Sequence, residues 1–409
     1  MGCTAAMAGL PNLLKSATPS RLRAALYPVL TRRAIAKAQQ QLIHGEPGAT
    51  PGPVIVSGLF DEPSGVGRAA DLTREALTQA GYAPAAVGLR PLLAGNASGL
   101  PRTPGGAWII HCNPDEAARV LARTDAALWL GRRRIGYWAW ELERAPAYWA
   151  DAARLFHEIW APSTFVAEAL RASGVTTPVR VMPHPVALLA KPATRTRERW
   201  GFADGHFAVL AMGDLLSSAT RKNLMGAIDI YRRAFPEPGN ASLTVKAMSA
   251  DPAFVQQARG RAGGRADIRF VTNALPSADL LSLMASADVL LSPHRSEGFG
   301  LALAEAMLQG TPALATGWSG NMDFMDGLAD LLIGHTLMPV QDQSGVYRAV
   351  GQRWAEPDAE DAAAKLGRLA GSPELRASLA ARGANNVRAL SRAWTREQLL
   401  QTALGQISG

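Results

Sequence analysis

The chain has 409 residues, 48% of them hydrophobic and 19% charged, a composition typical of a globular protein with two domains. It has no run of about 18 apolar residues, so we expect no transmembrane helix. The two cysteines, Cys3 and Cys112, give neither a disulfide framework nor the spacing of a metal site, which fits a cytoplasmic location. The formal net charge of +8 suits anionic partners such as nucleotides, nucleic acids or acidic lipid surfaces.

Residues 1–50 form a basic N-terminal extension with six Lys and Arg side chains and one acid, a net charge of +5. Apolar residues such as Leu22 and Val29 fall on one face of a helical pattern, although Pro28 predicts a break in that helix. Two interpretations are open. The extension lies on an anionic membrane surface, or it is a solvated segment without a partner.

Strands alternate with helices in two series, which predicts an α/β fold with parallel sheets covered on both faces. Residues 51–190 are the first domain, residues 191–385 the second, and residues 386–409 a C-terminal helix that packs back toward the first domain. A proline-rich hinge is predicted near residues 186–200. The predicted strands after the first, which starts at Val54, are Ala107–His111, Ile135–Trp138, Glu158–Ala161, Val179–Met182, Phe207–Met212, Leu243–Ala247, Ile268–Val271, Val289–Leu291 and Pro312–Ala315.

The most informative segment runs from Ser296 to Met307, where Glu297 and Glu305 bracket seven residues. It follows a predicted buried strand, passes through a Gly-Phe-Gly turn and continues as a helix. An ordinary strand–turn–helix unit also contains such glycines, but the paired glutamates favour an anion site. Phosphate or a departing oxyanion would then be held by the backbone N–H groups of Gly298, Phe299, Gly300 and Leu301.

A basic turn, Thr220-Arg221-Lys222-Asn223, follows the first strand of the second domain. Parallel strands present their carboxyl ends at one edge of a sheet, so this turn and the glutamate segment are expected at the same edge. Alone, the turn would be interpreted as an exposed basic loop. Beside the glycine turn, it predicts the cations of a phosphate site.

With these residues the chain resembles the retaining glycosyltransferases of family 4, which have the GT-B fold: two Rossmann-like parallel-sheet α/β domains facing a central cleft. The resemblance spans roughly residues 50–400. Trp354–Asp358 is also similar to a subgroup that assembles bacterial polysaccharides, some of them by mannosyl transfer. The resemblance is carried by His294–Leu301, Leu303–Met307, Gly310–Pro312 and Trp318–Phe324.

The resemblance implies a hexosyltransferase that uses a nucleotide diphosphate sugar, with GDP-mannose the first candidate donor and a UDP-sugar the second. The acceptor would be a glycan or a polyprenyl-diphosphate-linked glycan. Attack on the same face of the sugar would retain the anomeric configuration without a side-chain nucleophile. No metal, no other cofactor and no nucleic acid partner are expected. The location would be cytoplasmic, peripheral on the inner face of the membrane.

The resemblance also assigns roles in the second domain. Glu297 would contact the donor sugar, Glu305 the nucleotide ribose and Lys222 the donor diphosphate. The family has an Arg in a Gly-Arg-Leu pattern where this chain has Gly213-Asp214-Leu215, so Arg221 is the substitute for that cation. The nucleotide base is expected near Thr272 and Asn273.

In the first domain, the loop that contains Gly65 is expected to contact the donor phosphate or the acceptor. His111, at the end of a predicted strand, resembles a sugar-contacting catalytic histidine of the family, although a lone His is more often structural. The segment Tyr137–Glu143 combines aromatic and acidic residues, as sugar platforms do, but also fits an aromatic core strand.

Two other functions are considered. The pattern Gly65-x-Gly67-x-x-Ala70 matches a dinucleotide fingerprint, and about twenty residues further on stands Arg90 instead of an acid, so an oxidoreductase would use NADP. The segment Asp61-Glu62-Pro63 separates the predicted strand from the loop that contains Gly65, whereas the fingerprint turns directly from strand to helix, which weakens this hypothesis. The other alternative is a non-catalytic scaffold that binds a nucleotide sugar.

Overall fold

The computed structural model describes residues 20–42, 48, 50–60, 62, 64–189, 192–342, 347 and 351–407. Part of the predicted N-terminal extension, residues 1–19, 43–47 and 49, lies outside the described residues, as does the predicted domain boundary at residues 190 and 191. The chain divides into two compact units. The N-terminal unit is Met1–Pro185 with Ser391–Gly409, and the C-terminal unit is Val186–Leu390.

The N-terminal unit contains a six-stranded parallel sheet interleaved with helices. Its strands are β1 (Val54–Gly58), β2 (Ala85–Gly88), β3 (Ala107–Ile110), β4 (Arg133–Tyr137), β5 (Glu158–Ala161) and β6 (Val179–Val181). Its first helices are α1 (Ser20–Leu42), α2 (Gly65–Gln79), α3 (Leu89–Leu93), α4 (Pro114–Arg123), α5 (Tyr148–Ala153) and α6 (Thr164–Ala172). The strand order is β2-β1-β3-β4-β5-β6. Every residue of β3 and β5 is buried, as expected of inner strands in a covered parallel sheet.

The C-terminal unit contains a second six-stranded parallel sheet. Its strands are β7 (Phe207–Asp214), β8 (Ala241–Met248), β9 (Ile268–Val271), β10 (Val289–Ser292), β11 (Ala313–Thr316) and β12 (Leu332–Ile333), in the order β12-β11-β10-β7-β8-β9. An antiparallel pair, β13 (His335–Pro339) and β14 (Arg353–Pro357), lies outside that sheet. The helices are α7 (Ala219–Lys222), α8 (Leu224–Ala234), α9 (Pro252–Ala262), α10 (Ser277–Ser286), α11 (Leu301–Leu308), α12 (Met322–Met325), α13 (Ala359–Gly371) and α14 (Pro373–Ala389).

The chain returns to the N-terminal unit after α14 and ends there with α15 (Arg396–Leu400). Trp394 packs edge-on against Trp160 of β5, with ring centroids 5.7 Å apart, and donates from Nε1 to the Pro183 carbonyl at 2.6 Å. The two six-stranded parallel sheets confirm the predicted α/β fold class. The predicted strands are confirmed to within about two residues at their ends, whereas β2, β12, β13 and β14 were not predicted.

Helix α1 continues through Pro28, so the predicted break at this residue is wrong. Packing against α4 favours the longer helix, because Thr31, Ile35 and Ala38 are buried on one face. Val29, expected on the apolar face, is 44% exposed. No helix among the described residues is both long and apolar enough to cross a bilayer.

Candidate functional site

The predicted anion-binding residues lie where the strand order of the C-terminal sheet reverses. Strand β7 lies between β8 and β10, and the chain proceeds outward to β9 on one side and to β12 on the other. Arg221 and Lys222 follow β7, and Glu297 follows β10. A reversal of this kind leaves a crevice at the carboxyl ends of the strands, where α/β folds bind ligands.

Three charged side chains meet at this reversal. Lys222 Nζ donates to Glu297 Oε1 at 2.5 Å, and Arg221 Nη1 lies 3.1 Å from Oε2 of the same carboxylate. Burial by itself would raise the pKa of Glu297, but the charges of Lys222, Arg221 and His294 outweigh burial and lower it to about 2. Glu297 is therefore ionised at neutral pH, and the cluster carries a net positive charge.

A short segment, Ser218–Asn223, holds both cations and is called the cation turn below. Ser218 has a φ of +91°, and its Oγ accepts from the Arg221 N–H at 3.2 Å. Asn223 has a φ of +54°, a conformation that Asn tolerates better than most residues, and its Oδ1 accepts from the N–H of Gly226 in α8. Strand residue Gly213 makes room for the lysine, since a Cβ there would lie 3.2 Å from the Lys222 Cβ.

Arg221 is buried, with 2% of its side chain exposed, whereas 20% of the Lys222 side chain is exposed. The Arg221 guanidinium donates to the Ser296 carbonyl at 2.7 Å and to Ser217 Oγ at 3.1 Å. Arg221 thus presents a second positive charge to the carboxylate that Lys222 also contacts. Of the two cations, Lys222 is the one that a ligand in solution can reach.

The glycine loop, residues 296–300, is the last part of the connection between β10 and α11. Gly300 has a φ of +93° and precedes α11, whose Ala, Leu, Glu and Met residues are strong helix formers. Gly320 lies directly against the loop, since a Cβ there would be 2.2 Å from the Gly298 carbonyl oxygen. Phe299 is buried against Phe324, with ring centroids 5.2 Å apart. The loop is therefore fixed by packing at the N-terminal end of α11.

Comparison with known proteins identifies the family. The model for "Family 4 Glycosyltransferase in conflict systems" matches residues 163–393, more than half of the chain. The chain belongs to this family. Membership supports the glycosyltransferase hypothesis over the oxidoreductase one. No curated protein matches the chain in sequence.

Solved structures with low sequence identity share the fold of this chain. A Burkholderia vietnamiensis α,α-trehalose-phosphate synthase (UDP-forming) has a TM-score of 0.58 and 12% identity over 89% of this chain and 98% of that one. S. aureus TarM, in complex with fondaparinux, alpha-GlcNAc-glycerol and UDP, has a TM-score of 0.57 and 10% identity over 78% of this chain. The match covers 59% of that TarM chain. A structure from E. coli, described as trehalose-6-phosphate bound with UDP-2-fluoro glucose, has a TM-score of 0.54 and 12% identity over 76% of each chain. The predicted two-domain GT-B fold is thereby confirmed.

Two of the predicted site residues lie in the N-terminal unit, at the reversal between β1 and β3. Gly65 is exposed at the first position of α2, and the Ser64 side chain caps that helix. His111 is buried, its Nε2 lies 3.1 Å from Thr73 Oγ1, and its ring packs at a tilt of 37° against Tyr137 with centroids 4.1 Å apart. Burial and, to a lesser degree, a second histidine lower the pKa of His111, so the ring is neutral at physiological pH.

The remaining predicted residues lie farther along the C-terminal sheet edge. Glu305 is half-buried on α11, directly after the glycine loop. Thr272 and Asn273 are exposed after β9, two strands from β7. Buried Lys246 donates to the Asn273 carbonyl at 2.9 Å and holds that loop. The structure thus joins Arg221, Lys222 and Glu297 directly, and their roles in donor binding are predictions.

Several residues around these sites were not assigned from the sequence. Ser319 Oγ accepts from the Glu297 N–H at 2.8 Å, and Arg295 links the glycine loop to the cation turn. His184, to which the sequence assigned no role, has its Nδ1 3.0 Å from the Tyr137 hydroxyl, beside His111. Trp138, a candidate sugar platform, is fully buried against Trp149 and belongs to the core. Arg295 and Ser319 lie within the segments that carry the family resemblance, which gave them no individual role.

Proposed function

We propose that the protein transfers a hexose from a nucleoside diphosphate sugar to a hydroxyl group of a glycan acceptor, with retention at the anomeric carbon. One observation carries the proposal. A carboxylate, Glu297, is ionised between two cations at the start of a glycine loop and a helix. A sugar diphosphate needs both kinds of group, since its diphosphate is anionic and its hydroxyl groups donate to carboxylates.

The cations match the charge that develops as the donor reacts. The bond between the anomeric carbon and the phosphate oxygen breaks, and its electron pair stays on the phosphate oxygen. The acceptor oxygen bonds to the same face of the anomeric carbon, and its proton passes to the departing phosphate. Lys222 stabilises the leaving diphosphate, together with the N–H groups at the start of α11. Arg221 acts indirectly, because it neutralises Glu297 and leaves the Lys222 charge for the ligand.

The other predicted residues complete the donor site in this proposal. Glu297 accepts from a sugar hydroxyl, and Glu305, on the helix that begins at the phosphate, accepts from the ribose hydroxyls. The base lies near Thr272 and Asn273. In the N-terminal unit, His111 and the loop at Gly65 serve the sugar and the acceptor.

GDP-mannose is our first candidate donor, from the resemblance of Trp354–Asp358 to a polysaccharide-assembly subgroup. A UDP-hexose is the second. The structures of TarM with UDP and of the E. coli protein with UDP-2-fluoro glucose support a nucleoside diphosphate donor on this fold. Because the Lys222 charge and the N–H groups at the start of α11 are available to the leaving diphosphate, we expect the reaction to proceed without a metal ion and to survive EDTA.

We further propose an acceptor that is a glycan or a polyprenyl-diphosphate-linked glycan, used at the cytoplasmic face of the membrane. The exposed side of α1 supports this location, because it presents Arg32, Arg33 and Lys37 next to Val29 and Leu30. Basic and apolar side chains together suit an anionic lipid surface.

The donor proposal is tested by thermal unfolding with a panel of GDP- and UDP-hexoses, with NADPH included for the oxidoreductase alternative. A ligand at one hundred times its Kd stabilises the folded state by about 2.7 kcal/mol, so a true donor should raise the Tm measurably. Product analysis by NMR would then establish the anomeric configuration. If no nucleotide sugar in the panel shifts the Tm, the proposal is contradicted. A shift with NADPH alone would favour the oxidoreductase alternative.

A further inference from the structure

The β13–β14 pair lies outside the parallel sheet, yet one of its carboxylates is fixed in a two-point ion pair. Glu356 of β14 accepts from Arg295 Nε at 2.6 Å and from Arg295 Nη2 at 3.0 Å. The two residues are 61 positions apart in the chain. Such a fork-to-fork arrangement fixes the guanidinium in direction as well as in position. A backbone bond from the Ala355 N–H to the Arg295 carbonyl reinforces it at 2.9 Å.

Arg295 also bonds to the main chain of the cation turn. Its Nη1 donates to the Thr220 carbonyl at 2.5 Å, and its backbone N–H donates to the Arg221 carbonyl at 2.8 Å. Arg295 directly precedes Ser296 and Glu297, so one residue ties the main chain of the cation turn to the glycine loop. The relative position of Lys222 and Glu297 therefore depends on Arg295.

A second carboxylate, just beyond β13, holds the other end of the cation turn. Ser218 Oγ donates to Asp342 Oδ1 at 2.7 Å, and Asp342 Oδ2 accepts from the Tyr347 N–H at 3.1 Å. The Arg221 guanidinium lies over the Tyr347 ring, 6.0 Å from its centroid. Ser218 has a φ of +91°, which a residue with a side chain adopts only when its surroundings impose it. The contact with Asp342 is one such constraint.

We propose that the β13–β14 pair and two carboxylates, Glu356 of β14 and Asp342 just beyond β13, are a positioning clamp for the cation turn, with Glu356 acting through Arg295 and Asp342 acting through Ser218. The clamp sets the place of Lys222 relative to the donor diphosphate. This inference rests on the proposed function. Arg295 and Asp342 contact the cation turn and Glu356 contacts Arg295, so all three are positioning residues that act on the ligand only through the turn.

Loosening the clamp should reduce catalysis more than stability. A misplacement of a catalytic group by about 1 Å can cost about a hundredfold in rate. We expect Glu356→Gln, which keeps the size of the side chain but removes its charge, to lower kcat about ten- to a hundredfold. Glu356→Asp, which keeps the charge, should restore part of that loss. Asp342→Asn should also lower kcat, because it loosens the other end of the cation turn.

The decisive experiment is a double-mutant cycle with Lys222, carried out on the full chain. Glu356→Gln, Lys222→Ala and the double variant are compared in single-turnover transfer and in calorimetric binding of the bare nucleoside diphosphate. If the clamp acts through Lys222, Glu356→Gln should change neither quantity more than about twofold once Lys222 is absent. The matched control is Glu360→Gln, which removes an exposed carboxylate four residues away that pairs with Arg233.

The outcomes separate the clamp from the proposed function. Additive effects of Glu356→Gln and Lys222→Ala, in transfer and in binding, would overturn the clamp even if the transferase proposal stands. Unchanged binding and transfer in Lys222→Ala would overturn the phosphate site itself. A fall in Tm for Glu356→Gln with unchanged kcat would show that the ion pair only stabilises the fold, and would also reject the clamp.

Discussion

At the residue scale, burial distinguishes the two cations of the site. Lys222 and Arg221 contact the same carboxylate, but the Arg221 side chain is almost completely enclosed. A buried cation still acts at a distance, because its field is weakly screened in the interior. We therefore assign direct contact with a ligand to Lys222 and neutralisation of Glu297 to Arg221.

Lys222→Ala should lower kcat by a factor of about 10²–10³. The lysine is the reachable positive charge at the leaving diphosphate, and the loss of one preorganised oxyanion donor costs about this much. Steady-state transfer from the donor identified in the thermal screen measures the effect.

Lys365→Ala is the matched control for this variant. Lys365 is also partly buried in the C-terminal unit and paired with an acid, Asp361, but it lies on α13, away from the cation turn. Its turnover should equal that of the wild type. Wild-type turnover in Lys222→Ala, or an equal loss in both variants, would contradict the assignment of Lys222 to the diphosphate.

The central residues of the site could be predicted because their signals are local. Glu297 and Lys222 each follow a recognisable buried strand, and parallel strands bring such positions to one edge. Arg295 could not be assigned a function, since its partner Glu356 is distant in the chain. Asp342 likewise acquires its role only when the fold brings it to Ser218.

At the element scale, the strands that could be predicted have a local signal in the sequence, and the strands that could not be predicted lack one. The inner strands are short apolar runs whose burial pattern is visible in the sequence, as in β10. Strand β13, His335–Pro339, is half-buried or exposed throughout and contains a proline, so no periodicity marks it. Its partner β14 pairs with it from beyond a connecting segment, which a local pattern does not reveal.

Helix α1 is held to α4 partly by polar contacts in a buried setting. The Tyr27 hydroxyl donates to Glu116 Oε1 at 3.3 Å, and the Arg119 guanidinium lies over the Tyr27 ring at 5.5 Å. Burial and the neighbouring Asp115 raise the pKa of Glu116 to about 7, although Arg119 opposes them. The folded protein thus binds a proton at Glu116 more tightly than the unfolded chain does.

We expect the contribution of Glu116 to the free energy of unfolding to fall as the pH rises from about 4.5 to about 7, because over this range the folded state keeps a proton on Glu116 that the unfolded chain has already released. Glu116→Gln keeps an acceptor for Tyr27 and abolishes this titration. At pH 8 the variant should be more stable than the wild type by about 1–3 kcal/mol. Urea unfolding followed by tryptophan fluorescence at several pH values measures the difference.

Glu168→Gln is the control for this prediction, because Glu168 is exposed on α6 of the same unit. Its stability should follow the wild-type pH dependence. If Glu116→Gln follows that dependence as well, Glu116 does not titrate in the folded protein as proposed.

At the scale of the whole molecule, helix α1 combines exposed basic side chains with exposed apolar ones. The large hydrophobic residues exposed in the described part of the chain are Val29, Leu30, Leu216 and Leu400, and two of these four are adjacent on α1. Arg32, Arg33 and Lys37 are exposed on the same helix. The opposite face is buried against α4, so α1 presents its basic side outward while docked.

We expect the full chain to bind vesicles that contain anionic lipid and to bind zwitterionic vesicles much more weakly. Each Lys or Arg near such a surface contributes about 1 kcal/mol, so reversing two charges with Arg32→Glu and Arg33→Glu should reduce partitioning more than tenfold. Vesicle flotation at low and at physiological salt measures the partitioning, and binding should weaken as salt screens the charges.

The control is the double variant Arg102→Glu and Arg259→Glu, two exposed arginines outside α1 that give the same change in net charge. Equal losses in the two double variants would mean that total charge, and not the α1 surface, drives binding, and no loss in either would reject membrane association through this helix.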